Sequence, residues 1–116
     1  MLHALVLLAA GSCEGDSPAA APRCDWALPA TCPGAAPSYA GDVAPLIASR
    51  CLPACHAPGG ISQMQTLGSY SQIFSKRGTV LSQIYTCKMP PAPTPALPAD
   101  EGKVILDWLV CGAPNN

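Results

Sequence analysis

Seven cysteines in 116 residues, set among 14 prolines and 10 glycines, constrain this chain more than any other feature. That much Pro and Gly cuts regular backbone into short pieces joined by stiff, irregular connections. A core assembled from short pieces needs reinforcement, and cysteines at this density point to an oxidising compartment where sulfur can supply it. The length suits one domain and therefore one site. Lys and Arg number 6 against 7 Asp and Glu, a net charge of -1, so there is no basic excess to neutralise a phosphate backbone. Nucleic acid is not an expected partner.

Residues 2–10 form an apolar run of export-signal length, too short to cross a bilayer as a helix, and the small residues Gly11 and Ser12 follow it. Residues 1–12 are accordingly read as a signal peptide. The stretch Ala10-Gly11-Ser12-Cys13 resembles a bacterial lipobox, with Ala10 where Leu is usual, which would make Cys13 the lipidated first residue of the mature protein and a possible membrane anchor. The expected location is the periplasm or outer cell envelope. Residues 13–37 are rich in Ala and Pro without helical or strand period and read as a tether. Cys24 and Cys32 lie near enough in sequence to close a small loop inside it, with pairing to cysteines elsewhere as the alternative.

The folded body is expected over residues 38–116. Asp42 is placed to cap a helix over 43–50, with Pro45 in the first turn, where no intrahelical donor is required. A second helical region is expected over 69–86, its apolar residues Tyr70, Ile73, Phe74, Val80, Leu81 and Ile84 falling at i, i+3, i+4 spacings and Gly78 dividing it in two. The clearest helix spans 98–110: Pro98 opens it, Asp100 and Glu101 occupy its first turn, Val104, Ile105, Trp108 and Leu109 make its stripe, and Gly112 follows its end. No stretch alternates as a strand pair would. The fold class is all-α, about four short helices joined by Pro-rich loops.

The chemistry is concentrated in Cys51-Leu52-Pro53-Ala54-Cys55-His56. Two thiols followed at once by an imidazole is the order used in c-type haem attachment, where the thiols add to the porphyrin vinyl groups and the histidine reaches the iron beneath the same ring. The usual spacing leaves two residues between the cysteines. Here there are three, so the extra residue must bulge. A zinc site would need four ligands, and His56 with Cys51, Cys55, Cys87 and Cys111 supplies candidates, although export argues against a thiolate cage. A purely structural reading joins Cys51 to Cys55 in a disulfide.

Cys87-Lys88-Met89-Pro90-Pro91 favours the haem reading, because a low-spin iron needs a sixth ligand and Met89 is a suitable donor. Pro90, Pro91, Pro93, Pro95 and Pro98 stiffen its loop, so its thioether loses little entropy on binding. Met64 is the other candidate, but it follows His56 so closely that its loop would have to cross the ring edge at once. A Cys87–Cys111 bond, closing a loop of about 25 residues and worth roughly 3 kcal/mol, would tie the Met89 loop to the last helix. Trp108 reads as a core aromatic.

Taken together, Tyr39-Ala40-Gly41-Asp42-Val43-Ala44-Pro45-Leu46, then Cys51 with Cys55-His56, then Met89-Pro90-Pro91, then Glu101 and Leu106-Asp107-Trp108-Leu109-Val110-Cys111-Gly112-Ala113-Pro114, resemble a family of short bacterial cytochrome c domains found in exported lipoproteins. The resemblance implies an all-α fold around one haem c, thioethers at Cys51 and Cys55, iron ligation by His56 and Met89, and electron transfer to a redox partner protein. It implies a carrier rather than an enzyme, free-standing or as a subunit of one. Two other classes stay open: a haem sensor or peroxidase-like domain with an open sixth site, and a haem-free, disulfide-stabilised interaction module.

Overall fold

The computed structural model describes Cys24 and residues 26–57, 59–60 and 66–116. The signal peptide, the lipid anchor at Cys13 and the rival ligand Met64 fall outside the described residues. Among those described, the chain forms four α-helices and no strand: α1 (Ala44–Arg50), α2 (Tyr70–Ser75), α3 (Arg77–Tyr85) and α4 (Ala99–Val110). Two π-helical turns, Tyr39–Val43 and Leu52–His56, flank α1. No helix among the described residues is long and apolar enough to cross a membrane.

α4 is the helix around which the rest is built. It begins one residue after Pro98 and carries Asp100 and Glu101 in its first turn, against the positive end of the helix dipole. It buries Ile105, Leu106, Trp108 and Leu109, which lie together on one broad apolar face. Val43 and Ile47 from the N-terminal elements, Ile73 from α2, Ile84 from α3 and Leu67, Leu97 and Ala113 from the connecting segments pack into the same core. Trp108 is fully buried, as its place in the stripe predicts, and its indole N–H donates to the Pro114 carbonyl at 2.9 Å. Tyr39 and Tyr70 pack on it, ring centroids 5.8 and 6.3 Å away, and the Tyr70 hydroxyl donates to the Ala113 carbonyl at 2.7 Å. The C-terminal tail thus becomes part of the core wall.

Three local expectations are corrected. Asp42 does not cap α1. Ser38 does the capping, one turn earlier: its Oγ accepts from the Gly41 N–H at 3.0 Å, while Asp42 Oδ2 accepts from the Ser38 N–H at 2.8 Å. This is the reciprocal logic of a capping box, with the acid moved one position along by the wide π turn. The break between α2 and α3 falls at Lys76 rather than Gly78, which lies within α3. Side chains explain the shift, since the Arg77 guanidinium donates to the Phe74 carbonyl at 2.9 Å and lies 4.0 Å over the Phe74 ring, closing off the end of α2.

The third correction concerns the disulfides. Cys24, Cys32, Cys87 and Cys111 are all bonded, but the pairs are Cys24–Cys87 and Cys32–Cys111, not Cys24–Cys32 and Cys87–Cys111. The expected tether is therefore cross-linked to the body at Cys24 and Cys32. Trp26 packs against the core over Gly102, where a Cβ would land inside the indole ring. Only glycine at 102 lets that ring lie flat on α4.

Candidate functional site

The short α1 ends at Arg50, whose guanidinium grips Glu101 at the start of α4 with two bonds of 3.0 and 3.1 Å. This pair sits near the surface and contributes little energy, while tying the end of α1 to the first turn of α4. The next turn is π-helical: the His56 N–H donates to the Cys51 carbonyl and the Ala57 N–H to the Leu52 carbonyl, each at 3.2 Å and each reaching five residues back. In an α-helix that bond would come from a residue four positions on. The π turn absorbs the extra residue between the cysteines, so that His56 holds the same backbone relation to Cys51 that a histidine would hold in the two-residue spacing. The expected bulge is this turn, and single π turns recur at functional sites.

Two contacts fix the turn from outside. The Leu67 N–H donates to the His56 carbonyl at 3.2 Å, tying the stretch before α2 to the turn. Gly60 lies so close beneath the turn that a Cβ there would stand 2.6 Å from the Cys55 carbonyl oxygen.

On the opposite side, α3 ends in a Schellman cap. Cys87 takes the left-handed conformation, φ 59°, in the position where glycine is usual; its N–H donates to the Ile84 carbonyl at 3.0 Å and the Lys88 N–H to the Gln83 carbonyl at 2.9 Å. The Met89 N–H reaches the same Gln83 carbonyl at 3.1 Å. The chain is thereby folded back so that Met89 returns over the face of α3. The Cys24–Cys87 disulfide anchors the one non-glycine residue that this cap requires in a strained conformation. α4 ends in the same motif, with Gly112 in the left-handed position and the Ala113 N–H donating to the Trp108 carbonyl at 2.9 Å.

Between these two constructions lies a cavity of about 280 Å³, near the lower end of the roughly 300–1,000 Å³ range of small-molecule sites. Ile47 and Cys51 come to it from the end of α1, His56 from the π turn, and Met89 from the loop after α3. Leu67, Val80 and Ile84 add apolar wall. Lys76 at the break before α3, with Thr79 and Gln83 on α3 itself, completes it with polar groups. The Lys76 ammonium also donates to the Thr66 carbonyl at 3.3 Å. Those three residues escaped the sequence reading, which followed only the apolar members of α3, although their spacing set them beside Val80 and Ile84.

Three of the four expected haem-binding side chains, Cys51, His56 and Met89, line this cavity. Cys55 does not: it is disulfide-bonded, whereas among the described residues Cys51 is free. The Cys51–Cys55 disulfide of the purely structural reading is therefore not formed. Burial pushes the Cys51 thiol up to about 11, so at neutral pH its sulfur keeps its proton. The donors fit a c-type haem in kind: a neutral thiol, an imidazole and a thioether around an apolar space, with a single cation, Lys76, in the wall. The cavity is too small to enclose a whole porphyrin, so a ring seated there would leave an edge outside.

The zinc alternative loses its ligands. Cys55, Cys87 and Cys111 are in disulfides, and no group of three or more His, Cys, Asp or Glu side chains among the described residues is gathered to hold a metal ion. Comparison of the chain with protein-family models, curated proteins and solved structures found no match.

Proposed function

We propose that this domain binds one haem c in the cavity between α1 and α3 and serves as a single-electron carrier in an exported setting. The observation that carries the reading is the meeting of Cys51, His56 and Met89, from three separate elements, on one apolar cavity. Bound there, the group would supply a one-electron iron couple. His56 is the proximal ligand in this reading and Met89 the sixth. The resemblance places thioethers at Cys51 and Cys55, and of these two Cys51 presents a free thiol.

The chain's own work is to hold and to insulate. Ile47, Leu67, Val80 and Ile84 keep water from the ligand side chains, which favours the less charged, reduced iron and raises the potential, as a methionine ligand also does. The Schellman cap fixes the Met89 backbone in advance. No general acid or base is needed for outer-sphere transfer. A redox partner protein would meet the exposed ring edge.

Visible spectra of the full chain, exported from a host with c-type maturation, test this. The wild type should give a sharp low-spin c-type spectrum, His56→Ala should lose it, and Met89→Gln should keep the haem but change its sixth-ligand signature. A Met89→Gln spectrum identical to the parent would favour an open sixth site and a sensor or peroxidase-like role. The disulfide at Cys55 favours a second reading, a haem-free interaction module, which predicts no visible band in any of the three proteins.

A further inference from the structure

The two cysteines of the Cys51/Cys55/His56 segment are in different chemical states and different places. Cys51 is a free thiol in the wall of the cavity that His56 and Met89 also line. Cys55 is oxidised in a disulfide and is absent from that wall. From this we infer that haem is linked to this chain through a single thioether, at Cys51, while Cys55 serves as a structural disulfide; the inference rests on the haem reading given above.

The bond-making step balances without any further reactant. The Cys51 S–H adds across one vinyl C=C, the sulfur bonding to the inner carbon and the proton going to the terminal carbon. Nothing is oxidised, nothing is reduced and nothing leaves. The same addition at Cys55 has no S–H to draw on, since its sulfur is already spent in a disulfide. One vinyl group therefore stays intact, and its double bond remains conjugated with the ring.

The test uses the full chain exported with c-type maturation, as wild type, Cys51→Ala, Cys51→Ser and Cys55→Ala, after confirming by circular dichroism that each is helical. The protein is reduced, alkylated and cut with trypsin, and the peptide running from Cys51 to Lys76, which holds only these two cysteines, is fragmented in the mass spectrometer. One haem together with one alkyl label on Cys55, and a reduced haemochrome band displaced to longer wavelength than that of a doubly linked standard, is the expected result. Cys55→Ala should keep covalent haem at the wild-type stoichiometry, while both Cys51 variants lose it. A wild-type peptide bearing haem and no alkyl label, or haem retained by the Cys51 variants, would overturn the single link and leave the haem reading standing. Absence of covalent haem from the wild type would overturn both.

Discussion

Cys51 keeps its proton well above neutral pH because burial disfavours the charged thiolate. With its value raised from 9.0 to about 11, the folded chain holds this proton more tightly than the unfolded chain. The resulting stability is complete below pH 9.0 and is lost as the pH rises towards 11. In haem-free protein, alkylation of Cys51 by iodoacetamide at pH 8 should run on the order of 100-fold slower than that of an unhindered thiol, the ratio of the two thiolate fractions. Its rate should still be climbing near pH 11. Gly60 offers a second residue-scale test. Ala at 60 places a methyl group against the Cys55 carbonyl, backbone that cannot rotate away, so Gly60→Ala should cost about 1–3 kcal/mol in chemical denaturation. Neither consequence was legible in the sequence. Cys51 and Cys55 look equivalent there, and Gly59-Gly60 looks like an ordinary break; only the packing distinguishes them.

At the scale of elements, what could be read was whatever local chemistry decides. α4 lies within a residue of its expected bounds because Pro98, the two acids and Gly112 are all local signals. The α2–α3 break was misplaced because Gly78 is tolerated inside α3, whereas the actual stop depends on Arg77 folding back on Phe74. Neither π turn matches a 3.6-residue template, yet the spacing of Cys51, Cys55 and His56 required a bulge, and the structure forms it as one π turn. Chain length in that turn is therefore testable. Deleting Pro53 should let an α turn replace the π turn and preserve haem retention. Inserting an alanine after Ala54 leaves no regular bond from His56 to Cys51 and should abolish retention, as read by the ratio of haem to protein absorbance. Equal retention in the insertion variant would show that the backbone relation of His56 to Cys51 is immaterial.

Over the whole molecule, the disulfides run between distant parts of the chain, Cys24 to Cys87 and Cys32 to Cys111. Six cysteines allow about 15 pairings, so the connectivity could not be chosen from spacing, and the short-range pairs were the wrong ones. The long pairs constrain the unfolded state more: loops of 63 and 79 residues are each worth about 4 kcal/mol in the chain-entropy model. The double variant Cys32→Ser with Cys111→Ser should therefore lower Tm by roughly 15 °C or more, and peptide mapping of the wild type should recover both cross-links. These bonds, with Trp26 seated on Gly102, hold one flank of α4, while α1 and α3 hold the cavity open on another. Cys51, His56 and Met89, which the fold brings to one cavity, were visible beforehand; the oxidised state of Cys55 and the polar residues Lys76, Thr79 and Gln83 were not, because both depend on which segments the fold brings together.

The intact mass of the full chain, exported with c-type maturation and measured after acid–acetone extraction, bears on all of this at once. A covalent haem in the Cys51 cavity predicts a chain heavier by one haem, the pigment staying with the protein through extraction. A chain of unmodified mass, its pigment extracted or never present and Cys51 still a free thiol, would contradict the haem reading and leave a disulfide-stabilised helical domain.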